Sequence, residues 1–528
     1  MVVGFQSLND DVLALVIALI SRRDMKNLAL TSRTVSPVAR RRLLSSLRLK
    51  APVNNLEFHN YVLEEDDRQR IQYLHKLTIL CSLSPWYHEP ESADVYSPLA
   101  TVLVRARNLW ALVVSELEGQ LATEGGGVLG DAIASVRGLR ELELDCVATR
   151  GMALCERLTC KPSVVRLQAL SLHSIPNPRA EVQPATLAGL EILRNASAIT
   201  LHNFQLICDE EEEVPLPQPH AYRWNRARSL SLKNMDPVAL APLCPNLGYL
   251  QVAFWQADDD GSGTTYGDDY HYTRTAEFTD DVHVACHLRV LDIYNKVNWN
   301  CEKSQIYDTI TLTVRMTLPV VLSMQFHYGD TTLWTELATL SKHADARLRY
   351  LDVLMHDDVS GDSDAQVWLD QCLPLFSDSD LLCIRLRLVD QIDRVIDAEE
   401  FESMVDDEDE LVSDHWEDIQ NEAPQVIAKA IPSLRYVAVS SGYMVENDAA
   451  PGGSSFRGQA QWWRVVGDEE GSGVAGSDQG SRSVEVDEED SEDAESGEGE
   501  GLIEIDEEEG ERIDEYLRSE AFAKTLKL

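Results

Sequence analysis

Clusters of acidic side chains and one closely spaced cysteine pair are the features of this sequence whose residue types could do chemistry. Asp258-Asp259-Asp260-Gly261 has the composition of the start of a calcium-binding loop. With Gly261 as the turn glycine, however, the twelfth position is Gly267, where a glutamate is needed. Cys155 and Cys160 have no second ligand pair at zinc spacing and no nearby histidine. We therefore expect no bound metal and no cofactor.

Sequence motifs of the common enzyme classes are missing from the chain. It has no glycine-rich phosphate loop, no His-Glu-x-x-His and no Gly-x-Ser-x-Gly. Paired carboxylates occur in many acidic stretches, and solvated surfaces explain them without any catalytic role. We expect the chain not to be an enzyme.

The charge of the chain is strongly negative and unevenly distributed. The formal net charge is −43 over 528 residues. Residues 1–50 carry nine Lys/Arg against three Asp, or +6, whereas residues 467–515 carry 22 Asp/Glu against two Arg, or −20. Phosphate binding needs a high density of Lys and Arg, so we expect no nucleic-acid partner. The excess of carboxylates favours solubility and attraction to basic proteins.

The apolar run Val12–Ile20 has neither the flanks of a signal peptide nor the length of a membrane span. Asp10-Asp11 precede it and Arg22-Arg23 follow it, whereas a signal peptide has positive charge before the run and small residues after it. It is also shorter than the roughly 18 residues that a membrane span needs. We expect an intracellular protein of the cytoplasm or nucleus, neither secreted nor in a membrane, whose ten cysteines are reduced.

The first predicted helix is too apolar for its own small module to cover. Its apolar residues lie nearly all round the helix, at Val12, Leu13, Leu15, Val16, Ile17, Leu19 and Ile20. About fifty residues cannot build a core that covers two faces of one helix, so one face needs a partner. Ser21 and Asp24 have the spacing of a capping box for a second helix, with Asp24 itself as the competing N-cap, and Pro37 suits the first turn of a third.

The order and spacing of these residues resemble an F-box, a three-helix module that binds the Skp-type adaptor of cullin-based ubiquitin ligases. The resemblance implies that residues 1–50 hold the adaptor and, through it, the cullin. It implies adaptor contacts at Leu8, Val12, Leu13, Val16, Ile17, Ile20, Met25, Leu28, Leu30 and Arg33. The alternative is a helical cap on the following domain with no adaptor.

A Leu-x-x-Leu-x-Leu pattern recurs between residues 74 and 439, and each copy predicts a short strand with alternate residues buried. Clear copies start at Leu139, Leu167, Leu247, Leu288, Leu348 and Leu434, and weaker ones at Leu74, Leu109, Ala196, Ala227, Val321 and Leu381. The pattern resembles the divergent leucine-rich repeats found beside F-boxes. The resemblance implies an irregular solenoid over residues 51–466. The alternative is an ordinary α/β domain with a parallel sheet.

The predicted fold class is therefore α/β: an N-terminal three-helix F-box, an irregular leucine-rich-repeat solenoid and a disordered acidic C-terminal tail. Trp463 and Val465 are expected to share the buried face of a closing strand. Residues 467–511 lack the apolar side chains that ordering requires, so we expect an acidic disordered linker. Residues 512–528 have helical spacing and are expected to form a short amphipathic helix, mostly free.

By resemblance, the chain is the substrate-recognition subunit of an SCF-type ubiquitin ligase that binds an unknown protein target. The x positions of the repeat are expected to face away from the core and to form the target surface. They include Tyr249, Tyr294, Tyr350, Tyr436, Glu141, Glu143, Asp145, Asp292 and Asp352. Tyrosines are common interface anchors, and the carboxylates favour a basic target segment. The alternatives are that these residues only solvate the face, and that the chain is a protein-interaction scaffold working without a ligase.

Overall fold

The fold is mixed α/β, and its strands are mostly parallel. It was analysed in a computed structural model, which describes residues 10–31, 33, 35–49, 59, 61–62, 70–80, 96–123, 125–170, 191–204, 223–255, 284, 286–296, 303–326, 331–343, 346–356, 364–389, 416–446, 454–466 and 501–526. These residues divide into two compact units. The first ends at Leu247 and the second begins at Gly248.

Three short helices open the first unit: α1 (Asp10–Leu19), α2 (Arg22–Thr31) and α3 (Ser36–Ser45). The N-cap half of the predicted capping box is confirmed, because the backbone N–H of Asp24 donates to Ser21 Oγ at 3.2 Å. The bond to the Asp24 carboxylate, at 2.8 Å, comes from Ser21 Oγ. A small core joins the helices and consists of Leu13, Ile17, Met25, Val35 and Ala39. The three helices thus enclose an apolar centre of their own.

The first sheet begins directly after α3, since strand Ser46–Leu49 follows helix Ser36–Ser45 without a break. The strands are β1 (Ser46–Leu49), β2 (Lys76–Ile79), β3 (Ala111–Val114), β4 (Glu141–Val147), β5 (Val164–Ala169), β6 (Ala198–His202) and β7 (Ser229–Lys233). Each is parallel to the next in chain order. The domain boundary predicted at residue 50 therefore falls after the first strand of the sheet and not before it.

Short helices connect these strands. They are α4 (Tyr96–Arg105), α5 (Leu117–Ala122), α6 (Gly126–Ser135), α7 (Thr149–Arg157), α8 (Glu191–Asn195) and α9 (Pro237–Leu240), with 3₁₀ turns at Ile71–Tyr73 and Ala241–Leu243. In the part of the chain that the structure describes, no helix is long and apolar enough to cross a membrane.

The second unit has eight described strands: β8 (Tyr249–Trp255), β9 (Val290–Lys296), β10 (Val321–Phe326), β11 (Tyr350–His356), β12 (Cys383–Val389), β13 (Tyr436–Glu446), β14 (Ser454–Val465) and β15 (Leu502–Ile505). Strands β8 to β13 are parallel neighbours in chain order. The last two strands are antiparallel additions at the edge. The helices of this unit are α10 (Lys303–Thr317), α11 (Thr331–Ser341), α12 (Asp364–Val367), α13 (Glu417–Ala430), α14 (Glu507–Leu517) and α15 (Glu520–Thr525). A π-turn at Trp368–Cys372 and a 3₁₀ turn at Leu373–Phe376 follow α12.

The strand register follows most copies of the repeat. The central aliphatic positions pair from strand to strand, in the first unit as Leu77, Leu112, Leu142, Val165, Ile199 and Leu230. In the second unit the corresponding row is Leu250, Leu291, Leu322, Leu351, Ile384 and Val437. All of these side chains are buried.

Two copies were placed out of register by the sequence pattern. The copy at Leu167 is wrong, because the buried strand positions are Val165, Leu167 and Ala169, and the strand ends at Ala169. A copy that starts at Val321 predicts Met324 at the central position. The structure places Leu322 there, so this copy is wrong by two residues. In both places adjacent aliphatic residues satisfied more than one alignment of the pattern.

The C-terminal segment departs most from the sequence prediction. Residues predicted to lie in a disordered linker form strand β15 and the start of α14, and the helices α14 and α15 pack on the sheet. The strand with Trp463 is not the last one, because β15 pairs with it. Its fully buried tryptophan is Trp462, on the opposite face from Trp463. Residues 467–500 lie outside the described residues.

Candidate functional site

One candidate surface is an exposed apolar stripe on α1, which we call the N-terminal apolar face and define by Val12, Leu15 and Leu19. The spacing i, i+3, i+7 places them on one side of the helix. Leu15 is 68% exposed and Leu19 is 89% exposed. Leu30, in α2, is 82% exposed. Isolated exposed leucines are ordinary, but this many on two short helices mark a surface suited to contact.

The predicted adaptor-binding residues divide into two groups. Leu13, Ile17 and Met25 are buried in the core of the three helices, so they hold the module together and cannot be contact residues. Val12, Leu30 and Arg33 are exposed, and Val16, Ile20 and Leu28 are half-buried. Leu8 lies outside the described residues. Leu15 and Leu19 are exposed but were not among the predicted contact residues, because a helix that is apolar nearly all round does not reveal which side its neighbours cover.

A second candidate surface is the sheet face of the second unit that carries the x positions of the repeat, here called the second-unit face. Its residues pair in rows across β8 to β14. The residues that matter below are Tyr249, Asp292, Tyr294, Tyr350, Asp352, Arg385, Arg387, Ser440 and Trp462. Their alternation with the buried aliphatic row places them together on the other side of the strands.

The chain's own C-terminal helices cover this face. Leu517 and Phe522 are buried in one cluster with Val290, Val321 and Tyr350. Gly510 lies directly on the Trp462 ring, where an added Cβ would be 2.2 Å from Cγ. Helix α14 therefore approaches the sheet more closely than any residue with a side chain would allow.

Asp352 is the centre of the charged contacts under the C-terminal helices. Its side chain is fully buried and pairs with the guanidinium groups of Arg387 and Arg518. Arg387 Nε donates to its Oδ1 at 2.8 Å, and Ser323 Oγ donates to its Oδ2 at 3.1 Å. Burial alone raises the pKa of Asp352, but the two guanidinium groups more than offset this and hold the pKa well below its usual range. Asp352 is therefore ionised at neutral pH.

Asp292 lies in the same row as Asp352, two strands earlier, but has a weaker set of partners. The Tyr249 hydroxyl donates to its Oδ2 at 2.5 Å, while its Oδ1 has no hydrogen-bond partner among the described residues. Burial raises the pKa of Asp292, and the charge on Arg518 offsets this only in part. Burial also raises the pKa of Tyr294 to about 12, and Asp292 adds to that shift.

Tyr350 and the acidic side chains of α14 complete the contact. The Tyr350 hydroxyl donates to Asp514, and Arg518 lies over the Tyr350 ring at 5.1 Å. Arg385 donates to Glu511 at 3.1 Å, and Arg464 donates to Glu509 at 2.6 Å. The first turns of the helix thus carry carboxylates that face arginines, and its end carries an arginine that faces a carboxylate.

The expectation of an exposed target surface is therefore wrong for much of the second unit. Tyr350, Asp292 and Asp352 are buried, and Tyr249, Tyr294 and Tyr436 are partly buried. The x positions do leave the aliphatic core as predicted, but the C-terminal segment of the chain covers them.

The equivalent face of the first unit is more open. Glu141, Glu143 and Asp145 are partly exposed, and Glu143 lies 3.4 Å from Arg166 across two neighbouring strands. Burial raises the pKa of Asp145, whose carboxylate accepts a hydrogen bond from the Cys146 N–H at 2.7 Å. The predicted acidic surface is thus partly accessible in this unit.

Sequence reasoning missed the basic residues of the second-unit face. Arg385 and Arg387 occupy x positions of the weak copy at Leu381, so the repeat pattern could have predicted them. Only the tyrosines and carboxylates at such positions were considered as surface residues. For Arg518 the signal was weaker: its helix has apolar spacing at Ile513 and Leu517, but nothing local indicates where that helix docks.

The described residues give no indication of a metal centre. Across the described ranges no group of three or more His, Cys, Asp and Glu side chains is placed to hold a metal ion. Cys155 and Cys160 are buried free thiols, and burial raises the pKa of Cys155 to about 12. Protein-family models give no match to this chain, and neither do the sequences of curated proteins.

Proposed function

We propose that the chain is the substrate-recognition subunit of an SCF-type ubiquitin ligase. In this proposal the first three helices are an F-box that binds a Skp-type adaptor and, through it, a cullin. The sheet units form a divergent leucine-rich-repeat solenoid that binds a protein target inside the cell. The chain performs no chemistry of its own; it raises the local concentration of a target lysine near the ubiquitin-conjugating enzyme.

The observation that carries the proposal is the N-terminal apolar face. The three helices already have a core of their own, yet α1 still exposes Val12, Leu15 and Leu19. Covering one such leucine is worth roughly 1.5–3 kcal/mol. A module that exposes several of them beside a core of its own is suited to a protein partner, and the F-box resemblance implies that this partner is the adaptor.

The order of the strands supports the second half of the proposal. Stacked repeats produce parallel strands that neighbour one another in chain order, with aliphatic positions paired in the same register from strand to strand. An ordinary doubly wound sheet changes direction at a switch point, and neither unit shows such a reversal among its described parallel strands.

The test is recovery of the full-length chain with purified Skp-type adaptor. Replacing Leu15 and Leu19 together by Asp should lower adaptor affinity at least a hundredfold, because two exposed apolar contacts are lost. These positions are better than Ile17, whose replacement would disrupt the core of the module. The matched control is the volume-conserving pair Leu15→Met and Leu19→Met, which should bind as the wild type does.

Equal adaptor recovery from the Asp variant and the wild type would contradict the proposal. Recovery of none of the three proteins would favour the alternative, a protein-interaction scaffold that works without a ligase. Circular dichroism of each variant checks that the helices remain folded.

A further inference from the structure

The contact between the C-terminal helices and the second-unit face has the character of an interface rather than of a core. A permanent core is mostly aliphatic, and buried ion pairs add little net stability to one. Here Leu517 and Phe522 supply an apolar part. Around it the sheet contributes Tyr350, Trp462, Asp352 and arginines, which meet Arg518 and the acidic side chains of the helix. Tyrosine, tryptophan and arginine are the residues that dominate protein–protein hot spots.

The C-terminal helices also leave polar groups of the face unmatched. Asp292 Oδ1, Ser440 Oγ and Trp462 Nε1 are buried and have no hydrogen-bond partner within the described part of the chain. Each such group costs about 1–3 kcal/mol relative to a satisfied one. A ligand that supplied a donor to Asp292 would therefore bind this face better than the present occupant does.

The connection to the C-terminal segment is much longer than its geometry needs. The Val466 N–H donates to the Gly501 carbonyl at 2.8 Å, so the two ends of the connection are adjacent. A hairpin loop of about two to five residues would join two such strands. The chain instead uses the 34 residues 467–500, which hold 14 Asp/Glu and one Arg. That length is enough for the segment to leave the face and return while it stays tethered.

We infer that residues 501–526 are an internal ligand, which occupies the target surface of the second unit and is displaced by a partner helix with the same charge pattern. That partner presents carboxylates to Arg385 and Arg464, a small residue to the Trp462 ring and an arginine to Asp352. The inference rests on the proposed function, because it identifies the second-unit face as the site of target recognition. The sequence predicted a basic target segment. The inferred target is instead a helix that is acidic at its start and basic at its end.

The experiment uses the full-length chain with a protease recognition sequence inserted between Gly473 and Val474. After cleavage, a fluorescent peptide of residues 501–526 is added and its exchange into the complex is followed by anisotropy. We expect the labelled peptide to replace the cleaved segment under native conditions. Unlabelled peptides then compete: R518Q should compete at least tenfold more weakly than the wild-type sequence, since it loses a charge-assisted hydrogen bond.

Two further peptides test the charge pattern. The E509K/E511K peptide should also compete at least tenfold more weakly, because it places cations against Arg464 and Arg385. The matched control E515Q changes an exposed residue of the same helix and should compete within twofold of the wild type.

Four outcomes would overturn the inference. They are a cleaved segment that never exchanges, unfolding of the second unit when it leaves, tighter competition by E509K/E511K, and dimerisation of the uncut chain through its C-terminal segment. Adaptor recovery is measured on the same cleaved sample. If the labelled peptide exchanges but the adaptor does not bind, only the proposed function is contradicted. If the adaptor binds but the peptide does not exchange, only this inference is contradicted.

Discussion

Glu143 and Asp352 occupy the same position of the repeat in the two units, but Glu143 is partly exposed to solvent and Asp352 is fully buried. Glu143 follows Leu142 on a half-exposed sheet face and meets Arg166 at 3.4 Å in contact with solvent. Asp352 follows Leu351 on the second-unit face, where Arg387 and Arg518 enclose it completely. The repeat determines which side of the strand is aliphatic. What happens on the other side depends on whether another part of the chain covers it.

The largest expected difference between the two faces comes from removing these two carboxylates. Asp352→Ala leaves two buried guanidinium groups without their shared partner, and we expect a loss of about 3 kcal/mol, the low end for a broken buried pair. The low end applies because Arg387 and Arg518 keep 21% and 23% of their side chains exposed. Glu143→Ala breaks an exposed pair and should cost about 0–1 kcal/mol.

Urea unfolding of both variants, followed by tryptophan fluorescence, measures this difference. Similar losses for the two variants would mean that the second-unit face is as open in solution as the first. In that case covering by the C-terminal helices would contribute nothing to the free energy of unfolding.

A glycine tests the same cover from the side of the helix. Gly510→Ala should raise the helix propensity of α14 by about 1 kcal/mol, yet its Cβ would be 2.2 Å from the Trp462 ring. Overpacking of this kind costs about 1–3 kcal/mol, so we expect a net loss and faster tryptic cleavage at Arg512. Glu515→Ala, on the exposed side of the helix, is the control and should be neutral. A Gly510→Ala chain more stable than the wild type would show that α14 does not rest on Trp462.

The smallest expected effect is a change in melting temperature when Asp292, the other buried aspartate, is replaced. The direction of this change distinguishes the environment of Asp292 from that of Asp352. The folded-state pKa of Asp292 is raised by burial, so its contribution to stability is present below its unfolded pKa of about 3.9 and is lost as the pH rises through the folded value. Asp292→Asn should therefore raise the melting temperature by a few degrees at pH 7 and have little effect near pH 3.

Asp352→Asn should behave in the opposite way. Its folded-state pKa is lowered, so its contribution is present above about pH 3.9 and is lost as the pH falls through the folded value. The substitution should destabilise the chain at pH 7, and the deficit should shrink in acid. Thermal unfolding at pH 7 and pH 3 compares the two variants, and the same sign for both at pH 7 would contradict the assignment of their environments.

The sequence predicted local features of this molecule well and long-range contacts poorly. The cap at Ser21 and the alternating burial of most repeat strands are found in the structure, because caps and periodicity are local signals. Most repeat copies also lie in the expected register.

What the sequence could not predict is which surfaces meet. The C-terminal residues looked too acidic to fold, since Glu507, Glu508 and Glu509 dominate the start of α14. In the structure the Asp506 side chain caps that helix by accepting from the Glu509 N–H at 2.7 Å, and acidic residues suit a helix N-terminus. The docking site of the helix includes Tyr350, Asp352 and Arg385, which are more than 100 residues away in the chain, and no periodicity records such a pairing.

The N-terminal helices show the same limit. A helix that is apolar nearly all round indicates that two sides are covered, but not by what. Ile17 and Leu19 are equally apolar in the sequence, and only the packing of α2 and α3 makes one of them core and leaves the other exposed.

Native-state hydrogen exchange on the full-length chain tests most directly whether the second-unit face is covered by a segment that can leave. Amides of α14 should be protected, but they should open with a lower free energy than those of strand Tyr350–His356, so that exchange in the helix precedes unfolding of the sheet. Gly510→Ala should remove the protection of the helix and leave that of the strand. Exchange of helix and strand together, at one common free energy, would show that the C-terminal helices are a permanent part of the core and would contradict the account.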